Sequence, residues 1–516
     1  MSSSTARNSA VPIVTIGEAP LGIAEIGAIA RGARVELSAA AEARITAGRS
    51  VVEEYLARPE PVYGLNTGLG HARDERLPPD ELRRYQELIV RMHDGGLGAP
   101  LPVDIVRAAM ATRLAGVARG GAGVTVALAR TLAAMLNAGV HPIVPATGSV
   151  GASDLMHMGA IAQVAIGFGA AEYGGKRLSG AEAMRRAGIP PLVLEPKEGL
   201  AIVSANGVSI GHGALVVERA LRLAGAADLV AALSLEAVSG NPSILEPAVA
   251  AAKPIAGQIA AAAHMRALLS GGSILEPGAA VSVQDPLSFR VVPQVHGAYR
   301  EVLAFARSAV EGELAAMDDN PLVVVEERRM ISNGNFHPML LALAFDSLRP
   351  AIAHVGQLSD RRMNHLWTRL FSAGGSSMAD VIELIAQPGS GVMPRYAAGA
   401  RYAELRGLAG PATLDIAPLD LGQEDHATAA TITVQRTAEA FDALEEILVV
   451  ELLLARDTLR FAGAPAQHGA GTAAALAALA DACTTFGPAS MTADVVAALS
   501  PLLSTTILDA ADAGSS

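Results

Sequence analysis

Cysteine is almost absent from this chain. The single thiol, Cys483, excludes an intrachain disulfide framework and any multi-cysteine metal site. Its own expected place is that of a small buried hydrophobe. Aromatic residues are scarce at 3%, so a core has to be built from aliphatic side chains. Charge is thin as well: charged residues make up 17%, and the 51 Asp and Glu outnumber the 39 Lys and Arg for a net charge of -12. That sign argues against nucleic acid or an anionic membrane as the main partner. The first ten residues, MSSSTARNSA, lack the apolar core of an export signal. The most apolar windows are interrupted, 201–223 by His212, Glu218 and Arg219, and 339–356 by Asp346 and Arg349, so no membrane span is expected and the cytoplasm is the default location. The twelve histidines are scattered without His-x-x-x-His or His/Cys spacing, so no metal site is expected. P-loop and dinucleotide fingerprints are missing too.

What the chain does have is aliphatic surface: 51% of its 516 residues are hydrophobic, mostly Ala, Leu and Val. That predicts long interlocked helices whose outer faces are hidden in an oligomer. Helices are expected over 40–57, 80–92, 103–137 with a break near 120–123, 155–171, 206–237, 254–269, 296–317, 339–366, about 376–387, 426–460, 471–483 and 491–502. Strand signals are few: 11–19, and a small hairpin of 321–325 with 329–331. The polar stretch 173–191 reads as a surface excursion. The expected fold is mainly α, a long-helix bundle, with a loop-rich N-terminal part at 1–205 and the bundle at 206–516 forming one interlocked unit.

Glycine-rich polar segments punctuate these helices in a definite order. They are YGLNTG at 63–68, His93 followed by the glycines of 95–98, GSVGAS at 148–153, KEGLA at 197–201, QDPLSFR at 284–290, GNFH at 334–337 and QEDH at 423–426. The segment at 147–157 leads directly into a helical run, where free backbone N–H groups favour developing negative charge. Taken together the motifs resemble the histidine and aromatic amino-acid ammonia-lyase family over roughly residues 15–510. The resemblance implies a helical homotetramer whose active sites are assembled from loops of three subunits. It also implies an α,β-elimination, in which an amine leaves the carbon beside a carboxylate while a base removes the neighbouring proton. In that family an Ala-Ser-Gly triad cyclises into a methylidene-imidazolone electrophile.

The resemblance implies these roles. Tyr63 is the general base, which requires a lowered phenol pKa. Arg290 binds the substrate carboxylate through its planar donor fork. Glu424 and Gln284 stand near the substrate amine or side chain, His93 stands near the substrate, and Phe336 flanks the ring. The family asparagine corresponds to Ser204 in an ungapped alignment and to Asn206 with a two-residue insertion. Asn66 and Asp285 are expected to brace loops. Ala152 and Ser153 are the ring-forming pair.

Three departures stand beside these matches. The order here is Gly151-Ala152-Ser153-Asp154-Leu155, without the ring-closing glycine; Leu287 stands where the family has a second tyrosine; and Ser204 replaces the asparagine in the ungapped alignment. They lead to the expectation of a ring-free member of the ergothionase type with no cofactor. Such an enzyme eliminates trimethylamine from a histidine betaine such as ergothioneine to give a urocanate-type acrylate. A quaternary nitrogen has no lone pair to attack an electrophile and leaves as a neutral amine. Its trimethylammonium group needs an aromatic or anionic wall, for which Glu424, Asp154 and Asp318 are candidates. The alternatives are an ammonia-lyase or aminomutase that does carry the ring, and a non-catalytic ligand-binding homologue.

Overall fold

The computed structural model describes residues 11–371, 377–386, 389–414, 416–463, 465–487 and 489–515. Long helices dominate, and strands are short and peripheral. The chain divides into two compact units, each assembled from three segments. The first comprises 1–218, 307–343 and 412–435; the second comprises 219–306, 344–411 and 436–516.

In the first unit Ile13–Ile16 pairs in parallel with Arg34–Leu37 across the helix Ile23–Ala30. Ser38 then caps Ala39–Leu56, its side chain accepting from the Ala41 N–H. The expected break in 103–137 falls between Val103–Val117 and Val126–Ala138, where Gly120 and Gly123 adopt positive φ of 91° and 67°. The helix expected over 155–171 stops at Ala165. Two glycines of positive φ, Gly167 and Gly169, turn the chain into the strand Ala170–Tyr173. That strand pairs with both His141–Pro142 and Lys176–Ser179. The polar stretch 173–191 is therefore more than an excursion: it contributes this hairpin and the helix Gly180–Arg186, capped by Ser179. The hairpin at 321–331 forms as expected from Leu322–Val324 and Arg329–Ile331.

Among its described residues the second unit is built of helices joined by irregular loops, with no strand. Its core carries buried charge among the aliphatic side chains. Arg362 and Glu451, both fully buried, pair at 2.6 Å, and Ser234 donates to the same carboxylate. Asp228 accepts from Arg300 at 2.6 Å, His296 at 2.7 Å and His264 at 3.0 Å. The helix Pro394–Leu408 has no counterpart among the sequence expectations. Cys483 is half-buried rather than buried, with Arg456 3.6 Å from its sulfur.

Among the described residues three helices are long and apolar enough, by length and composition, to cross a membrane: Glu198–Ala237, Met339–Phe371 and Thr492–Gly514. The charged interruptions in 201–223 and 339–356 do not disqualify them. In the first, 94% of the most apolar window is buried within the protein, which accounts for its apolar surface without a bilayer.

Candidate active site

The glycine-rich loop at 63–70 is built by local hydrogen bonds. Asn66 accepts from the Val62 N–H at 2.7 Å and donates to the Glu60 carbonyl at 2.9 Å, so it braces the loop as expected. Gly70 has a φ of 57°, and a Cβ there would collide with the Asp420 carboxylate. This close approach lets Asp420 accept from the His71 N–H at 2.9 Å and pair with the His71 ring at 2.6 Å. The Gly70 N–H donates to the Tyr63 hydroxyl at 3.3 Å.

The electrostatics around Tyr63 run opposite to the expectation. Burial pushes its phenol above the ordinary value, and the Glu424 and Asp420 carboxylates push in the same direction; the Gly70 N–H opposes them only in part. The sequence-based expectation of a lowered pKa is not met in the resting chain, first because the phenol is buried and then because its charged neighbours, Glu424 and Asp420, are anions. Glu424 is itself raised, by burial and then by Asp420. His93, at the end of Leu82–Met92, engages the Ile89 carbonyl at 2.7 Å through Nδ1, and burial lowers its pKa.

The loop carrying Ser153 is clamped from several directions. Ser149 donates to the Ser153 carbonyl at 3.1 Å and accepts from the Gly151 N–H at 3.0 Å. Thr428 donates to the Gly151 carbonyl at 2.8 Å, and the Ala429 N–H to that of Val150 at 2.8 Å. Ser153 holds a left-handed φ of 63°, a strained geometry for a side-chain-bearing residue that the surrounding bonds must maintain. Its hydroxyl lies 3.1 Å from that of Ser204, and its N–H donates to the Phe336 carbonyl at 3.1 Å. Asn206 donates to the same carbonyl at 3.1 Å. Both readings of the asparagine alignment therefore converge here: Ser204 meets the Ser153 side chain, and Asn206 meets the backbone that holds it. The Asn206 side-chain oxygen is buried without a hydrogen-bond partner.

Asp154 opens the helix Leu155–Ala165 and is fully buried. One carboxylate oxygen accepts from Ser149 and Thr431, both at 3.0 Å; the other accepts from the Ser209 N–H at 2.7 Å and its hydroxyl at 3.0 Å. Asp318 is also interior, accepting from the Asn206 N–H at 3.2 Å and lying 3.6 Å from Arg113. The Asp154 carboxylate offers no wall to a cationic ligand, because both its oxygens already accept from protein donors; the Asp318 carboxylate already faces the Arg113 cation. Of the three candidates only Glu424 remains.

Arg290, Gln284 and Leu287 belong to the second unit. Arg290 ends the short helix Leu287–Arg290 and lines a cavity of about 300 Å³ with Ser243, Val249 and Gln294. Gln284 is exposed, its backbone tied to Ser282. Asp285 accepts from the Asn241 N–H at 2.6 Å, the bracing role expected of it. Leu287 is 59% exposed.

Sequence reasoning missed the partners that shape the site: Asp420 and His71, and the hydroxyls of Ser149, Ser209, Thr428 and Thr431. It also missed the contact between His337 and His426, whose ring nitrogens lie 3.0 Å apart. The one available signal was the pair of threonines three residues apart, just ahead of the helix Ala430–Phe461.

The chain is similar to known proteins along most of its length. Residues 21–481 match the aromatic amino acid lyase family. A histidine ammonia-lyase of Anaeromyxobacter sp. (strain K) is 38% identical over 453 residues, covering 85% of this chain and 88% of the relative. Tyrosine aminomutase from Streptomyces globisporus superposes with a TM-score of 0.88 at 29% identity, over 98% of this chain and 99% of that one. Ergothionase from Treponema denticola, solved with desmethyl-ergothioneine sulfonic acid, superposes with a TM-score of 0.87 at 26% identity, over 96% and 99%.

These matches overturn the expectation that no cofactor is involved, since the lyases and aminomutases of this family characteristically make the methylidene-imidazolone. The residues present fit that group in two positions of three. Ala152 and Ser153 stand where its first two members belong, and the left-handed Ser153 gives the compact turn a ring requires. At the third position the fit departs from the family: the nitrogen is that of Asp154, its N–H is donated to the Ala205 carbonyl at 2.8 Å, and its side chain is anchored as described. From the motifs, the clamped Ser153 loop and these matches together, the chain belongs to the aromatic amino acid lyase family and is a carbon–nitrogen lyase.

Proposed function

We propose that this lyase eliminates ammonia from histidine or a related aromatic α-amino acid, giving the corresponding trans-acrylate. The observation that carries the reading is the buried Ser153 side chain, held against Ser204 in the left-handed turn ahead of Leu155–Ala165. The relatives named histidine ammonia-lyase support the substrate class. Ala152 and Ser153 would contribute to the family's methylidene-imidazolone, which would supply an electrophile at this loop.

The chain's own residues divide the remaining work. Glu424 and Asp420 make the Tyr63 surroundings anionic, a setting that attracts the substrate ammonium. The arriving cation offsets those carboxylates and lowers the Tyr63 pKa, so the phenol becomes a base when substrate is present. The proton it then removes from the β-carbon is transferred to its oxygen, beside the Gly70 N–H. Arg290 takes the substrate carboxylate in a bidentate pair. The active form is a homotetramer with shared active sites. In support, the segment around Gln284 exposes Val281, Val283 and Leu287 at 67%, 95% and 59%, apolar surface suited to cover by another chain.

A second reading concerns only the leaving group. The likeness to ergothionase, together with Asp154 at the third triad position, favours trimethylamine leaving from a histidine betaine. One assay separates the two: purified protein is incubated with histidine, phenylalanine, tyrosine and ergothioneine, and both the released amine and the ultraviolet absorbance of the acrylate are followed. Ammonia from histidine supports the first reading and trimethylamine from the betaine supports the second. Absence of acrylate from all four sinks both.

A further inference from the structure

We propose that the first unit contains a binding site for a small organic carboxylate with a short apolar body, formed by none of the residues that hold Ser153. A cavity of about 280 Å³ opens between the turn at 17–21, Arg44, the end of the helix Val103–Val117 with Arg119, and Leu314 with Met317. Its size suits a molecule of amino-acid dimensions, just below the range of drug-sized pockets.

The arginines identify the ligand's charge. Arg44 is fixed by two backbone acceptors, the Ala118 carbonyl at 3.1 Å from Nε and the Gly17 carbonyl from Nη2. Arg119 Nε is buried and has no hydrogen-bond partner. Among the described residues, arginines commonly meet a carboxylate, as Arg113 does with Asp319, Arg130 with Glu42 and Arg83 with Glu195. Arg44 and Arg119 do not, although Glu18 stands on the exposed rim. Arg44 is exposed and Arg119 partly buried; both line this cavity, and an oxyanion bound there would pair with the two guanidinium groups together.

The walls identify the rest of the ligand. Pro20, Leu21, Ala115, Leu314 and Met317 line the same space. Inorganic phosphate is hydrated on all sides and loses water against such walls without compensation. A carboxylate gathers its two oxygens at one end and leaves the remainder apolar, matching the division between arginines and aliphatic side chains.

The test is calorimetric titration of the full-length protein with benzoate, with neutral benzamide and with inorganic phosphate. Two variants accompany the wild type. Arg119→Gln removes the unpaired donor, and Ala19→Phe blocks the mouth from an exposed rim position that does not bear on folding. Benzoate is expected to show a binding component weakened about tenfold or more in each variant, with benzamide and phosphate at least about tenfold weaker than benzoate in the wild type. Benzoate binding unchanged in both variants overturns the site. Benzamide binding as tightly as benzoate overturns the role of the arginines, and phosphate binding as tightly overturns the apolar body. The readout is binding, so the result is independent of which amine the enzyme releases.

Discussion

Two buried aspartates, one in each unit, are held in contrasting ways. Asp154 is surrounded by neutral donors: hydroxyls of Ser149, Ser209 and Thr431 and the Ser209 N–H. Asp228 is surrounded by Arg300, His296 and His264. Burial opposes the ionisation of Asp228, yet Arg300 and the two histidines hold its carboxyl well below the ordinary range. The Asp154 carboxylate joins the Ser153 loop, the start of Gly207–Ala237 and the start of Ala430–Phe461 without adding a cation beside the reacting groups. The Asp228 carboxylate neutralises charge within a helical core, and its value is to the scaffold. Neutral donors fix Asp154, whereas Arg300 and histidines fix Asp228.

The comparison breaks most directly through Asp228→Asn. Removing one partner leaves Arg300 buried without its counter-charge, a loss of roughly 3–5 kcal/mol, measurable by urea denaturation. An unchanged midpoint would show that the cluster is not what holds the second unit's core. Asp154→Asn sharpens the other half. The amide NH2 would face N–H and O–H donors, costing about 1–3 kcal/mol locally, so stability should fall less than in Asp228→Asn. Turnover should drop by about a hundredfold or more because Ser153 loses its fixed turn. Equal losses of stability and full activity in Asp154→Asn would erase the distinction.

Tyr63→Phe tests the site without touching either aspartate. Removing the proton acceptor should lower kcat by roughly two to four orders of magnitude with assembly intact, as read by size-exclusion chromatography. Wild-type kcat would end the general-base assignment.

Much of this was legible in the sequence, and the gaps have physical causes. Apolar periodicity located the long helices, and the glycine positions located the breaks at 120–123 because positive φ is a local property. The motif order singled out Tyr63 and Glu424, which the fold brings within electrostatic reach of each other. The direction of the Tyr63 pKa was not legible, since it is set first by burial of the phenol and then by Glu424 and Asp420, both more than three hundred positions away in the chain. Asp154 and Asp318 were legible as acidic but not as buried: Asp154 accepts from Ser209 and Thr431 and Asp318 from the Asn206 N–H, partners that only the folded chain brings near. The stretch 173–191 reads as irregular because its polar hairpin lies at a sheet edge, where apolar alternation is weak.

The smallest expected effect concerns how the Asp228 cluster responds to pH. His264 bridges Asp228 and Asp512, with one ring nitrogen 3.0 Å from each carboxylate. Burial disfavours its charge, but hydrogen bonds and attraction from Asp228 and then Asp512 outweigh that and raise its pKa above the ordinary imidazole value. A histidine raised in the folded state binds its proton more tightly there than in the unfolded chain. Its stabilisation is therefore complete below the unfolded value and is lost as pH rises through the folded one. Asp512 is half exposed, so solvent screens that arm, and the whole effect should be at most about 1 kcal/mol. Denaturation midpoints of wild type and His264→Gln should differ most at acidic pH, above the range where carboxylates protonate, and converge as pH rises past the folded-state pKa. His296 faces the same carboxylate but is lowered by burial and by Arg362 and Arg300, so it should contribute no such proton. A gap between the two proteins that stays constant with pH would mean that His264 acts through packing alone, leaving Arg300 as the main source of positive charge for Asp228.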